Sequence, residues 1–459
     1  MASEPNLAAA VTPGAPRWGL SVLYAALLTL AICWPMWPGM MSFDSLYAYE
    51  ESLHGIETMT WPPMHAYLFW LSRHLGAGAG GVFALQTFLL FLAAALFVHL
   101  MIASRAWAAA ALGAFALSFV YVPELLGSAI VQWRDVTTAS FALAGFAAWL
   151  RAAKQRSRVW LALAAACLGV AAALRYNAVL LFVLVCPLMV WRPFLAPRAP
   201  HRTQALAAVA LLASLGLAWA STHWRLPDFK AMPATSSFVG AQQFDLIGIS
   251  ACADRNYLPP RMTAGWPITP RQIRQAYDPR HLQLAYRAYP GAPRIQETDA
   301  GGRVQKIWPL VVRHQFGCYL AHRTAVFVQQ MGLARRDVFY PTEFGIIANP
   351  YGLKPAHPQA VAKLYGYINT RAPELWRRPI LLYVLAVLGT GAVWVCQPAA
   401  RLLFAALLGG ALAYPAALFV AAPAADARYI FPSNVLCALL TVAAAGIVMS
   451  DRRGRGAPD

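Results

Sequence analysis

Apolar positions in this chain fall in long unbroken runs, not in the every-third-or-fourth pattern of a helix with one wet face. Runs of about twenty residues recur along most of its length, enough helix to cross the hydrocarbon of a bilayer. Ten such spans are predicted, near 18–37, 81–102, 106–122, 128–150, 159–174, 177–191, 203–222, 379–396, 402–421 and 429–449. Between Pro62 and Leu75 the apolar stretch is too short to span comfortably and predicts a surface or re-entrant helix. From about His223 to Arg378 no long apolar run occurs, and Pro, Arg and aromatic residues dominate. That segment predicts a large loop or small domain of short helices lying on the membrane face. The expected fold class is an all-α polytopic membrane protein. Its expected organisation is a membrane region over 1–222 with a first outer loop at 38–80, a loop subdomain over 223–378, and a second membrane region over 379–459.

The polar positions between the runs assign the two sides. Arg105, the cluster Arg151, Lys154, Arg156 and Arg158, then Arg192, Arg198 and Arg202 share one side with Arg401, Arg452, Arg453 and Arg455. Basic residues in short loops stay in the cytoplasm, so both termini are expected inside. Asp44, Glu50, Glu51, Glu57, Glu124 and Asp426 then all face outward, and no loop is a forced exception. The large segment is basic as well, but long translocated segments are largely exempt from that bias. A basic outer surface beside a membrane suits anionic lipids or phosphorylated lipid carriers; a solvated arginine-rich surface is the other reading.

Composition agrees with this picture. Of 459 residues, 59% are hydrophobic and 12% charged, against roughly 25% charged in soluble domains. The net charge of +18 would imply nucleic acid in a soluble protein. Here much of it sits in short loops between spans, so no nucleic-acid partner is expected. The first run, Trp18 to Trp37, ends in Trp-Pro and lacks a small-residue cleavage site, which makes it a retained span and not a leader. The seven cysteines contain no CxxC pair. Cys33, Cys167, Cys186, Cys396 and Cys437 read as small core residues. Cys252 and Cys318 share the large loop and are positioned to pair only if their distance and compartment allow it. Gly76-Ala-Gly78-Ala-Gly80-Gly81 matches a dinucleotide fingerprint literally, but it follows no strand and opens a membrane helix.

Candidate chemistry gathers on the outer side. Asp44 lies a few residues past the first span, where an acid is costly unless it meets water or a partner. A carboxylate stripped of part of its water has a raised pKa and becomes a better base; a helix N-cap is the competing reading. Glu50, Glu51 and Glu57 read as solvated. A Trp61-Pro62-Pro63 break follows, with Trp61 a candidate sugar or acceptor contact. In Trp133-Arg134-Asp135, Arg134 is suited to holding a phosphate through two parallel hydrogen bonds while Asp135 bonds a neighbouring helix; a structural interhelical pair explains it equally. Arg175, in Arg175-Tyr176-Asn177, projects a cation to the interface, which snorkelling also explains. Asp426-Ala-Arg428-Tyr429 sets an acid, a cation and a phenol at the depth of Asp44, and Arg428 and Tyr429 are candidate site residues against an aromatic-belt role. In the large loop, Gln243 and Asp245 are candidate contacts to sugar hydroxyls, and His314 to Arg323 reads as an amphipathic surface helix. No histidine or acid set has zinc spacing.

An outer first-loop acid, a Trp-Pro-Pro turn after it and a late Asp-x-Arg-Tyr together resemble the GT-C superfamily of polytopic glycosyltransferases. The likeness covers the hydropathy of nearly the whole chain, although its motifs are short. It implies a GT-C-like fold, a polyprenyl-phosphate-linked sugar as donor, a glycan or lipid acceptor, and Asp44 as the catalytic acid or base. It also implies a bacterial-type inner membrane with the active site facing outward. Where that family's turn often carries His or Lys, Trp61 stands here, so the phosphate contacts fall to Arg134, Arg175 and Arg428. No paired Asp-x-Asp or Asp-Glu occurs at Asp44, so no metal or other cofactor is implied. The alternatives are an O-antigen or exopolysaccharide polymerase, a lipid flippase or transporter, and a structural subunit. A transporter would carry charge across the midplane, and the absence of an internal repeat weighs against it.

Overall fold

The computed structural model describes residues 17–58, 62–155, 157–182, 184–185, 201–223, 226–232, 238–260, 268–281, 297–334, 340–371 and 377–455. The chain begins with α1 (Trp18–Met36), a nearly uniform apolar helix that stops before Trp37-Pro38. α2 (Phe43–His54) starts after Ser42 in extended backbone and ends on Gly55, whose φ of +62° supplies the left-handed cap. A short strand β1 (Ile56–Thr58), α3 (Met64–His74) and α4 (Gly80–Met101) follow. α5 (Arg105–Tyr121) begins on the Ser104 cap and meets α6 (Pro123–Ala129) at a bend of 87°. Pro123 forces the break, because it offers no N–H to continue the first helix.

α7 (Arg134–Gln155) and α8 (Arg158–Leu174) form an antiparallel hairpin, closely packed where Gly145 leaves room for the Leu168 side chain. A helical turn at Tyr176–Ala178, α9 (Val179–Phe182) and α10 (His201–His223) complete the N-terminal half. The segment between α10 and the last three helices contributes β2 (Lys230–Met232), α11 (Phe238–Ala253), α12 (Pro270–Ala276), α13 (Glu297–His314), α14 (Phe316–Gln330) and α15 (Pro358–Gly366). Three helices close the chain: α16 (Ile380–Cys396), α17 (Arg401–Ala421) and α18 (Phe431–Arg455). α7 packs on α4 and α18, α1 on α4, and α16 on α18, which gives one continuous apolar core around the fully buried Trp149.

Among the described residues, five segments are long and apolar enough to cross a membrane: α1, α4, α7, α17 and Ala427–Asp451. The bent α5–α6 pair makes a sixth if it is one broken span, and α8, Ala208–Ala220 and α16 are shorter apolar helices. Of the predicted span at 177–191, residue 183 and residues 186–191 lie outside the described residues. The span predicted to open at 128 instead begins at Arg134. The reason is local: α6 ends at Ala129, and Val131 then bridges Met40 of the first loop before α7 starts.

That pairing frames one end of the bundle. Met40 N–H donates to Ile130 O at 2.9 Å and Gln132 N–H donates to Met40 O at 2.9 Å. On the other side Met41 N–H donates to Gly345 O at 3.1 Å and Ile347 N–H to Met41 O at 3.2 Å. Three segments from distant parts of the chain thus lie side by side, with 40–41 in the middle. β1 and β2 pair in parallel, Ile56 opposite Lys230, and tie the first loop to the segment after α10. Cys252 on α11 and Cys318 on α14 form a disulfide, so the pairing left open by sequence is made.

Candidate functional site

Asp44 sits in the first turn of α2, not at its cap, since Ser42 occupies that position. Ser42 is itself engaged: its hydroxyl accepts a 2.9 Å bond from the Trp133 indole. The link 130–133, bridged to Met40 at Val131, therefore delivers Trp133 and Arg134 to the same place as the start of α2. Arg428 arrives from the other end of the chain, in a short helical turn before α18. Its guanidinium pairs with Asp44 at 2.6 Å and with Asp426 at 3.2 Å. It also stacks over Trp133 at 5.1 Å and Tyr429 at 5.0 Å. A planar cation suits this role, since its edge can bond carboxylates while its face lies on an aromatic ring.

Arg175 reaches the cluster from the end of α8. It forms a two-pronged pair with Asp135, at 2.7 and 2.8 Å, and its guanidinium lies 5.1 Å from the Tyr429 ring centre. Asp135 thus bonds a neighbouring helix as the sequence implies, and Arg175 is its partner. Arg134, buried at the start of α7, places its charge within reach of Asp44. The five candidates Asp44, Arg134, Arg175, Arg428 and Tyr429 converge on one charged cluster.

The electrostatics of Asp44 correct one expectation. Burial does push its carboxyl up, but the charges of Arg428, Arg134 and Arg175 outweigh that and hold it below the usual carboxylate value. Its side chain keeps 28% of its exposure. The Asp44 carboxyl is thus shifted down, not raised. Asp426 is the opposite case. Burial lifts it to about 6 even though Arg428 pulls it down.

Several neighbours escaped the sequence reading. The strand-like run at 345–347 carries just before it a strap in which Tyr340, held at φ +54°, donates its hydroxyl to Glu343 and packs 5.8 Å from Trp133. Burial raises the Glu343 carboxyl, and the charges of Arg428 and Asp44 both act on it. His65 on α3 is buried with neither ring nitrogen hydrogen-bonded; burial and Arg134 lower it to about 3, so it is neutral near Asp44. No spacing in the sequence points to Tyr340 or Glu343. His65 follows the Pro62-Pro63 pair, which is a signal of position only. Glu51 and Glu57, expected to be solvated, are buried, and Glu57 accepts a bond from the Tyr67 hydroxyl.

Trp61 lies outside the described residues. Gln243 and Asp245 do not join the cluster around Asp44; they are buried in α11. Asp245 pairs with Arg323 at 2.6 Å and accepts from the Trp308 indole at 2.7 Å, while burial raises it to about 6. The stretch expected to be an amphipathic surface helix is broken after His314, and both His322 and Arg323 are buried. Arg323 also donates to Ala422 O at 2.7 Å, which fixes the turn leading to Asp426 and Arg428. Among the described residues, no group of three or more His, Cys, Asp or Glu side chains is placed to hold a metal ion.

The long apolar helices and the charged cluster define a polytopic helical membrane protein with a polar site at one end of its bundle. No protein-family model matches the chain, and no curated protein matches it. Among solved structures it is similar to the crystal structure of ArnT from Cupriavidus metallidurans in the apo state. The two are 15% identical, the match covers 95% of this chain and 78% of that one, and the TM-score is 0.32. At that TM-score the likeness carries no argument about function, which rests on the cluster itself.

Proposed function

We propose that this protein is an integral-membrane glycosyltransferase of GT-C type, moving a sugar from a polyprenyl-phosphate donor to a glycan or lipid acceptor at the outer face of the membrane. The observation that carries the reading is the meeting of one ionised carboxylate, Asp44, with Arg428 at 2.6 Å and with the charges of Arg134 and Arg175. A sugar on a lipid phosphate already has a good leaving group. The protein must take a proton from an acceptor hydroxyl and stabilise charge growing on the departing phosphate. One carboxylate and two or three guanidiniums meet that need.

In this mechanism the donor phosphate competes with Asp44 for Arg428, while Arg134 adds a second cation. Arg175 contributes its charge from a position fixed by Asp135. Asp44, released from its ion pair, accepts the acceptor's proton as the acceptor oxygen bonds the anomeric carbon. The carbon–oxygen bond to phosphate breaks on the opposite side, with inversion, and the lipid phosphate leaves with the electron pair. A carboxylate held below its usual pKa is a weaker base than a raised one, but it is always in the form that accepts a proton. Tyr429 braces Arg175 and Arg428, and Trp133 braces Arg428. No step calls for a metal.

The test is transfer from radiolabelled polyprenyl-phosphate sugars in membranes carrying the natural chain or Asp44→Asn. Label should move to acceptor only with the natural chain. Equal transfer by a well-expressed Asp44→Asn variant would sink the assignment. Products that are joined lipid-linked glycans, instead of singly transferred sugars, would move the reading to a polymerase.

A further inference from the structure

Away from the charged cluster, a groove of about 790 Å³ runs along α1 where that helix packs on α4. Small side chains make the trough: Ala26 and Cys33 on α1 and Ala84 on α4. Trp34 and Phe88 wall it, and His357 stands at its end. From Ala26 to the level of Trp37 it follows about three turns of helix, roughly 16 Å at 1.5 Å per residue. α1 is a candidate span most of whose residues are not covered by the rest of the protein. The trough therefore opens toward hydrocarbon, and an extended alkyl chain matches its shape and polarity.

One end of the trough is polar, with His357 in its lining and a lysine-bearing segment running into it. Ala356 N–H donates to Trp37 O at 2.8 Å, which fastens the segment before α15 to the end of α1, and α15 packs against α1. The His357 ring stands 5.8 Å from Trp34. Lys354, three residues earlier, and Lys363 on α15 are both exposed. The stretch 344–371 contains Lys354, Lys363 and Arg371 but no Asp or Glu. A trough for a chain that ends under a tryptophan, a histidine and a lysine-bearing segment has the polarity of a phospholipid at its interface.

We propose that this groove is a binding site for an anionic phospholipid, with one acyl chain along Ala26, Cys33 and Ala84 and the phosphate at Lys354 and His357. It is separate from the donor site and does not depend on the proposed transferase activity. The lipid is a structural ligand that seats α15, and with it the segment that pairs with Met41 beside Asp44, against α1.

Native mass spectrometry of the purified protein from vesicles of phosphatidylglycerol or phosphatidylcholine tests this. Phosphatidylglycerol should be retained preferentially, by about fivefold for each lysine engaged. Lys354→Gln with Lys363→Gln should remove that preference while leaving chain binding in place. Ala84→Trp should fill the trough and abolish retention of either lipid. Ala26→Phe does the same from the lipid-facing wall and covers the case in which Ala84→Trp fails to fold. Equal retention of the two lipids by the natural chain, or unchanged retention by a folded trough-filling variant, would overturn the proposal. So would displacement of phosphatidylglycerol by a short-chain polyprenyl phosphate, because the trough would then belong to the donor.

Discussion

Arg428 is the most consequential side chain in the charged cluster, and Arg428→Gln is its most direct perturbation. The natural guanidinium bonds Asp44 at 2.6 Å and Asp426 at 3.2 Å, with side-chain exposures of 28% and 4% for the two acids. Removing it leaves two neighbouring carboxylates without the cation that holds them. Breaking a buried pair by deleting one partner costs about 3–5 kcal/mol. Asp44 is partly wet and recovers some of that from water, so about 3 kcal/mol of stability is expected to go. The stacking on Trp133 and Tyr429 is lost too, at about 0.5–1 kcal/mol each near the surface. Catalysis should suffer separately. Loss of a preorganised donor to a developing anion lowers kcat by about a hundred- to a thousandfold. The assay is a double-mutant cycle on transfer rate and on thermal unfolding, with Asp44→Asn, Arg428→Gln and the pair. Coupled sites give an interaction energy of about 0.5–3 kcal/mol. The reasoning fails if the two changes add within about 0.5 kcal/mol on stability, or if folded Arg428→Gln transfers within threefold of the natural rate.

Other consequences follow from the same geometry. Asp426 has a folded value near 6, above its unfolded one, so the native state takes up its proton first and this group's contribution to stability falls as pH rises from about 4 to about 6. Asp44 is shifted the opposite way, and its contribution is lost only as pH falls through its lowered folded value. A transition near pH 6 in the rate profile is therefore expected to vanish in Asp426→Asn, and its persistence there would assign it elsewhere. The Cys252–Cys318 bridge closes a separation of 66 residues, worth about 4 kcal/mol in the chain-entropy picture. Reductant should lower the unfolding temperature of the natural chain and leave Cys252→Ser/Cys318→Ser unmoved. Arg323→Met should destabilise by about 3–5 kcal/mol by stranding Asp245, and adding Asp245→Leu should restore much of the loss. A double variant no more stable than Arg323→Met in thermal unfolding would contradict that account.

What a short stretch of chain decides by itself was legible in the sequence. The apolar runs mark the helices, and Asp44, Arg134, Arg175, Arg428 and Tyr429 all fall near the ends of those runs before any contact is known. What depends on tertiary partners was not. Glu343 and Tyr340 reach the cluster only because 345–347 pairs with Met41, and no periodicity or motif encodes that pairing. Residues 130–133 read as the start of a span because they are mostly apolar; they form a link between two helices instead, whose backbone groups pair with Met40, and hydropathy does not register such pairing. Asp245 looks like a polar sugar contact until Arg323, from a helix 78 residues later, neutralises it in the core. The sign of the shift at Asp44 fails for the same cause. Desolvation can be inferred from depth along the chain, but the three arginines that reverse it come from α7, from the end of α8 and from the turn before α18. Position along a membrane-spanning chain thus names the members of a charged cluster ahead of their charge states, because depth is set by the spans and protonation by partners the spans bring together.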